Sequence, residues 1–130
     1  MGNFRKLEVW QLAKDLSVYI YKLTGKDKFA KDYDLRGQIR KAAVSIPSNV
    51  AEGDESGSNK QSIRYFNIAK GSSAEVQTQS IIAFEIGYIS IEENSEIINR
   101  CEIISKKLVN LIKFRSQHLT PNTQHPTPNT

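Results

Sequence analysis

Residues 38–53, QIRKAAVSIPSNVAEG, read as a helix that carries a proline in its interior. Leu35, Ile39, Ala42, Ala43, Ile46 and Val50 recur at helical spacing and make one apolar stripe. Lys41, Ser45, Ser48 and Glu52 make a polar stripe beside it. Pro47 has no N–H to give the carbonyl of Ala43, and its ring presses on that group, a cost of about 3 kcal/mol in a helix interior. An apolar stripe that continues through such a residue predicts a kink there, or a close approach by another chain.

The rest of the chain supplies three more helices. The first runs from Leu7 to Leu23, with Leu7, Trp10, Ala13, Leu16, Ile20 and Leu23 on one face and Thr24-Gly25 as a left-handed stop. Lys26 to Asp34 is a short charged connection with two packing anchors, Phe29 and Tyr33, and the second helix then spans about Leu35 to Glu52. Gly53 to Asn59, GDESGSN, is a turn by composition. Ser58 with Gln61 forms a capping-box pattern that opens a third helix, about Asn59 to Tyr88. Its expected face holds Ile63, Phe66, Ala69, Ala74, Ile81, Phe84 and Tyr88. Gly71-Ser72-Ser73 interrupts it, and a helical glycine, about 1 kcal/mol worse than Ala, is usually compensated by close helix–helix approach. Apolar residues run consecutively from Ile81 to Phe84 with Ile86 just beyond, a patch that predicts an interface.

Ser90 with Glu93 is a second capping box. It opens a fourth helix whose seam is Ile97, Cys101, Ile104, Leu108 and Leu111, with Lys106, Lys107, Lys113 and Arg115 toward its negative end. Strand signals are absent. The fold expected is therefore all-α, an antiparallel up-down-up-down four-helix bundle over 1–115 with a kinked second helix. Residues 116–130 lack Asp, Glu, Lys and Arg, which predicts a disordered tail. Within it His118 to Thr123 recurs, with one change, as His125 to Thr130, as if a short in-frame duplication had produced it.

Composition narrows the functional classes. The chain has 130 residues, enough for one domain with its own core, and 38% hydrophobic content without any run near the ~20 residues of a membrane span. MGNFRKLEVW lacks the apolar core of a secretory signal, and Lys6 stands where a myristoylation site wants Ser or Thr. With a single cysteine, Cys101, the expectation is a cytoplasmic protein that touches no membrane. The two histidines, His118 and His125, both fall in the tail, so the folded region has no carboxylate–histidine metal set and no base to activate Cys101. Glu52, Glu55 and Glu75 are read as exposed or capping carboxylates rather than as an acid–base set. No cofactor or metal is implied, and a non-catalytic role is expected, with an enzyme of unknown type as an alternative.

The net charge of +4 is compatible with an acidic partner such as RNA, and ordinary soluble proteins carry as much. Arg36, Arg40 and Lys41 on the second helix and Lys60, Arg64 and Lys70 on the third would form one positive surface if those helices are neighbours. The alternative is a solvated face with scattered charge. Tyr33 and Tyr65 are read as packing residues rather than base-stacking ones.

Three stretches together resemble a known family: QIRKAAVSIPSNVAEG, IAKGSSAEVQTQ at 68–79 and LEVWQLA at 7–13. They look like the proteins encoded within intervening sequences of bacterial 23S ribosomal RNA genes. The most specific matches are Ser45, Pro47, Asn49, Glu52 and Gly53 in SIPSNVAEG, and Gly71, Ser72 and Glu75 in the third helix. The resemblance implies a small antiparallel bundle, a ring-like homopentamer, and packing or assembly roles for those residues. A related branch, the accessory variability determinant proteins of diversity-generating retroelements, binds nucleic acid and a reverse transcriptase through a basic surface. By that analogy RNA or DNA is an expected partner, and a scaffold that docks a protein instead is the alternative. Three positions depart from the family pattern: Ala30 after Phe29 where Pro is usual, Asp34 before Leu35 where Gly is usual, and Asp54-Glu55 where a basic residue follows Gly53. The acidic pair lowers the expected affinity for phosphate beside the motif.

Overall fold

A computed structural model of the chain describes residues 2–118. Among them a 3-10 turn, Phe4–Lys6, precedes five α-helices: α1 Glu8–Thr24, α2 Asp27–Lys31, α3 Tyr33–Glu55, α4 Asn59–Glu85 and α5 Ile91–Gln117. No strand occurs among the described residues. Ser116 and Gln117, read as the start of a tail, instead complete α5, and the rest of that stretch from Leu119 lies outside the described residues. Its sequence repeat and His125 extend beyond the described residues.

Four long helices share one core. Leu16 and Ile20 of α1, Ile39, Ile46 and Val50 of α3, Phe66 and Val76 of α4, and Ile97, Ile104 and Leu108 of α5 are all buried in it. α1 packs on α3 and α5, and α4 packs on the same two helices, so α1 and α4 face each other across the core. The stripes read from α1, α3 and α5 are the buried ones, and Cys101 lies on the α5 seam with no exposure.

Pro47 lies inside α3, fully packed, and the helix continues for two more turns. The carbonyl it leaves without a partner, that of Ala43, accepts a hydrogen bond from Ser17 Oγ of α1 at 3.0 Å. The same hydroxyl also lies 3.2 Å from its own helix's Ala13 carbonyl. An interhelical serine thus supplies the bond that proline removes, which is how a buried carbonyl avoids the penalty of being unpaired.

The inner face of α4 differs from the expected one. Phe66 and Ala69 are buried, but Ala74 and Ile81 are exposed, and the positions facing the core include Ser62, Ser72, Ser73 and Ser80. Each of these serines bonds across a helix boundary. Ser62 Oγ donates to Gly53 O at 2.6 Å, and Ser72 Oγ to Ser45 Oγ at 2.9 Å, both on α3. Toward α5, Ser73 Oγ donates to Cys101 O at 3.3 Å, accepts from Ser105 Oγ at 3.0 Å, and Ser80 Oγ donates to Asn94 Oδ1 at 2.7 Å. Small side chains with satisfied hydroxyls let α4 sit close to both neighbours, so apolar periodicity misplaces its face.

Glycine roles also change. Gly71 faces open space, so it marks no close approach. Gly53, read as the start of a turn, is inside α3, and a Cβ there would stand 2.6 Å from the Phe66 ring. Gly25 has φ −87° and is not a left-handed cap. α1 ends instead on Thr24, whose hydroxyl donates to Ile20 O at 2.7 Å and accepts from Arg40 Nε at 2.8 Å. The left-handed stop is Gly87 at φ +85°, which closes α4 before Tyr88 with Gly87 N–H on Phe84 O and Tyr88 N–H on Ala83 O. Between α1 and α3 the expected connection contains the short helix α2, entered through Asp27 at φ 53°. Of the two capping boxes, Ser90–Glu93 is reciprocal, whereas Ser58 accepts only from Gln61 N–H.

Candidate nucleic-acid interface

The six basic residues singled out from sequence separate into groups along the helices. Arg36, Arg40 and Lys41 occupy the first half of α3. Lys60 and Arg64 occupy the first turns of α4, beside the last turn of α3 where Ser62 bonds to Gly53. Thirteen residues of α3 separate Arg40 from that point, about 20 Å of helix at 1.5 Å per residue. Lys70 lies between the groups, near the level of the Ser72–Ser45 contact.

The Arg36 end collects more charge than was singled out. Residues 22–41 hold seven of the chain's 18 Lys and Arg against three carboxylates, a surplus equal to the +4 of the whole chain. Lys22, Lys26, Lys28 and Lys31 belong to this set; all four are exposed. None of the seven cations lies in an ion pair among the described residues. The density of charge in this short segment was the signal by which the four lysines could have been found.

Two arginines of the set are held in place. Arg36 Nη1 donates to Ala30 O at 2.7 Å, and its guanidinium lies 4.6 Å from the centre of the Tyr33 ring. Arg40 donates to Thr24 Oγ1 and to Tyr21 O at 3.1 Å, and lies 4.4 Å from the Tyr21 ring centre. Tyr33 is 73% exposed, so it is not the packing anchor expected from sequence; Tyr21 is 46% exposed. Phe29, the other expected anchor, is buried against Tyr88. Tyr65 is half-buried, with Arg64 above it at 5.8 Å.

Two of the three acids in this region are engaged locally. Asp32 caps α3 by accepting from Leu35 N–H at 3.0 Å and takes the Tyr88 hydroxyl at 2.8 Å. The Leu35 amide first, then the Tyr88 hydroxyl, hold the Asp32 carboxyl below its ordinary pKa. The same bond raises Tyr88. Asp34 accepts from Gln38.

At the other end, Asp54 does not present its charge to solvent. It is buried and pairs with Arg115 Nη2 at 3.3 Å, while Arg115 Nη1 bonds Ser62 Oγ at 2.9 Å and Asn59 Oδ1 at 3.3 Å. This arginine ties the end of α5 to the end of α3 and the start of α4. Of the other motif residues, Asn49 donates to Ser45 O and Oγ, whereas Glu52 and Glu75 are exposed. Burial pushes the Cys101 thiol up to about 11. Among the described residues no three of His, Cys, Asp and Glu gather as a metal-holding group, and no helix is long and apolar enough to cross a membrane.

The sequence model for the 23S rRNA-intervening sequence protein matches residues 5–110. The chain belongs to this family. A member of the S23 ribosomal protein family from Bacteroides thetaiotaomicron VPI-5482, a protein of unknown function with a crystal structure at 1.70 Å resolution, is similar to it in structure. The two are 26% identical, with a TM-score of 0.75 over 81% of this chain and 98% of that one. No curated protein matches the chain. The match of the 23S rRNA-intervening sequence family spans both the charged segment and the helix containing Pro47.

Proposed function

We propose that this family member is a non-catalytic homo-oligomer that binds nucleic acid, RNA or DNA, through the basic end formed by residues 22–41. The observation that carries the reading is the concentration there of the chain's whole charge surplus, on five exposed lysines and two half-buried arginines, none with an ion-pair partner among the described residues. Such a surface attracts phosphates with little regard to sequence and loses affinity steeply with salt. Arg36, Arg40 and Lys41 belong to this end; Lys60, Arg64 and Lys70 lie farther along the helices and would join them in one surface through neighbouring copies.

The architecture we infer is an antiparallel up-down-up-down bundle with a kink at Pro47. Its support is the contact register: Ser62 meets Gly53 and Ser72 meets Ser45, so α4 advances as α3 recedes. Likewise Ser73 meets Ser105 and Ser80 meets Asn94 on α5.

Self-association is supported by two unlike apolar surfaces. One is a groove of about 650 Å³ between α1 and α3, lined by Trp10, Val18, Tyr21, Val44 and Pro47. The other is a ridge where α4 leads into α5, with Ile81, Ile82, Ile86 and Ile91 all 42% exposed or more. α1 and α3 form one side of the core and α4 and α5 the other. Two unlike surfaces on opposite sides suit head-to-tail contacts rather than two-fold dimers, and such contacts make rings where the rotation between copies closes. A pentamer is the ring the sequence resemblance implies. If nucleic acid is not the partner, the same groove favours a scaffold that docks a protein.

Two measurements test this. Light scattering at micromolar concentration should return a multiple of the protomer mass, and Ile82→Glu with Ile86→Glu should reduce it; a wild-type monomer would overturn the assembly. Binding to a structured RNA at low salt should fall when Lys26, Lys28 and Lys31 are changed to Glu. Absence of binding, or binding indifferent to those changes, would overturn the nucleic-acid reading.

A further inference from the structure

We propose that the basic end takes unpaired nucleobases of a single strand, stacked on Tyr33, and that it discriminates against duplex. This rests on the nucleic-acid reading above and deepens it.

Tyr33 opens α3, and 73% of its surface faces solvent. An exposed ring of this size gains nothing from the core. The Arg36 guanidinium covers part of the ring and is itself fixed by the Ala30 carbonyl at 2.7 Å, so the ring has a rigid backing. Arg40, the next arginine along, is likewise held, by Thr24 Oγ1 and the Tyr21 carbonyl. The two arginines are one turn apart on α3, about 6 Å of axial rise. Around them stand Lys22, Lys26, Lys28, Lys31 and Lys41, all exposed.

A preorganised aromatic face inside a field of free cations matches one ligand chemistry closely: a π-face joined to an anion. Nucleotides of a single strand present that pair, and aromatic platforms in positive grooves bind them with little sequence preference. In a duplex the faces are already stacked on one another, so only phosphates and groove edges remain to be read. An acidic peptide would use the lysines but would have no need of a guanidinium-backed ring. Tyrosine also loses little rotamer freedom on binding.

The test uses fluorescence anisotropy on the full chain at low salt. Labelled single strands of about twelve nucleotides, one RNA and one DNA, are compared with a blunt duplex of the same sequence. The expected result is tighter binding of at least one single strand than of the duplex. Tyr33→Ala should weaken single-strand binding about five-fold or more, the lower end of the loss per stacked base, and leave duplex binding unchanged. Tyr33→Trp should keep single-strand affinity. Because Tyr33 is exposed, circular dichroism of the Ala variant should match the wild type. The RNA and DNA arms tell which strand supplies the bases. Equal affinity for strand and duplex, or a Tyr33→Ala variant that binds both as before while Lys26, Lys28 and Lys31 reversal abolishes binding, overturns stacking and leaves phosphate binding standing. No binding of any probe overturns both.

Discussion

Serine 17 and proline 47 should be energetically coupled, although they lie 30 positions apart on different helices. Pro47 cannot donate to Ala43 O, and Ser17 Oγ stands 3.0 Å from it. Ser17 is 8% exposed, so in a Ser17→Ala variant water has poor access to the carbonyl left behind. A buried acceptor without a partner costs about 1–3 kcal/mol. The variant regains a few tenths, roughly 0.5 kcal/mol, in helix propensity. The net loss expected is therefore about 0.5–2.5 kcal/mol. In a Pro47→Ala background the restored N–H of residue 47 serves Ala43 O, and the same Ser17→Ala change should cost close to nothing. The coupling read from the double-mutant cycle should be about 1–3 kcal/mol, the cost of the unpaired acceptor, because propensity and methylene losses at each single site cancel in it. The assay is urea unfolding followed by circular dichroism, with all four proteins at one protomer concentration because association adds to apparent stability. Additivity within about 0.3 kcal/mol would refute the claim that the serine replaces the bond proline removes.

Other perturbations separate positions that look alike in sequence. Gly53→Ala places a Cβ 2.6 Å from a fully buried Phe66 ring and should destabilise despite better helix propensity, by about 0–2 kcal/mol net of the roughly 1 kcal/mol gained; Gly71→Ala meets open space and should stabilise by about 1 kcal/mol, both read from unfolding midpoints. Arg115→Gln leaves buried Asp54 without its cation and should cost about 3 kcal/mol, whereas Glu96→Gln, on an exposed pair, should cost about 0.5 kcal/mol or less. The Cys101 thiol, raised by burial to about 11, should resist a disulfide reagent at pH 8 in the native protein and react at once in denaturant. The Asp32–Tyr88 bond should give a pH window: Asp32 is depressed, so its contribution is present above the ordinary carboxylate pKa and lost as pH falls through the lower folded value. Tyr88 is raised, so its contribution is present below pH 10 and lost as pH rises through the higher folded value; Tyr88→Phe should remove this alkaline dependence and weaken the acid one, leaving the part of the Asp32 depression that the Leu35 amide holds.

Much of the fold was legible because three helices advertise themselves. The stripes of α1, α3 and α5 are built from large apolar residues at 3.6 spacing, and Ser90 with Glu93 is a cap that depends only on neighbours in sequence. α4 was misread for a physical reason. Its core face is made of Ser62, Ser72, Ser73 and Ser80, whose burial depends on acceptors contributed by α3 and α5, and no local pattern reveals those. Gly53 and Gly71 carry the same letter, and only the position of Phe66 distinguishes the one that must stay glycine. The partner of the Pro47 defect, Ser17, was invisible for the same reason. In the candidate interface, charge type was readable but not grouping: Arg36 and Arg40 gain their meaning from Ala30, Thr24 and two exposed tyrosines. Asp54, read as an acidic neighbour that would repel phosphate, is instead neutralised by Arg115 from the far end of the chain.

The central claim is that the charge surplus of residues 22–41 exists to hold phosphate. The salt dependence of RNA affinity tests it most directly, since each phosphate neutralised contributes about −0.7 to −0.9 to the slope of log K against log salt. Wild-type protein should show a slope of roughly −3 or steeper, and the Lys26, Lys28 and Lys31 to Glu variant should flatten it toward zero. A slope near zero for the wild type, or an equal slope for the variant, would contradict the account.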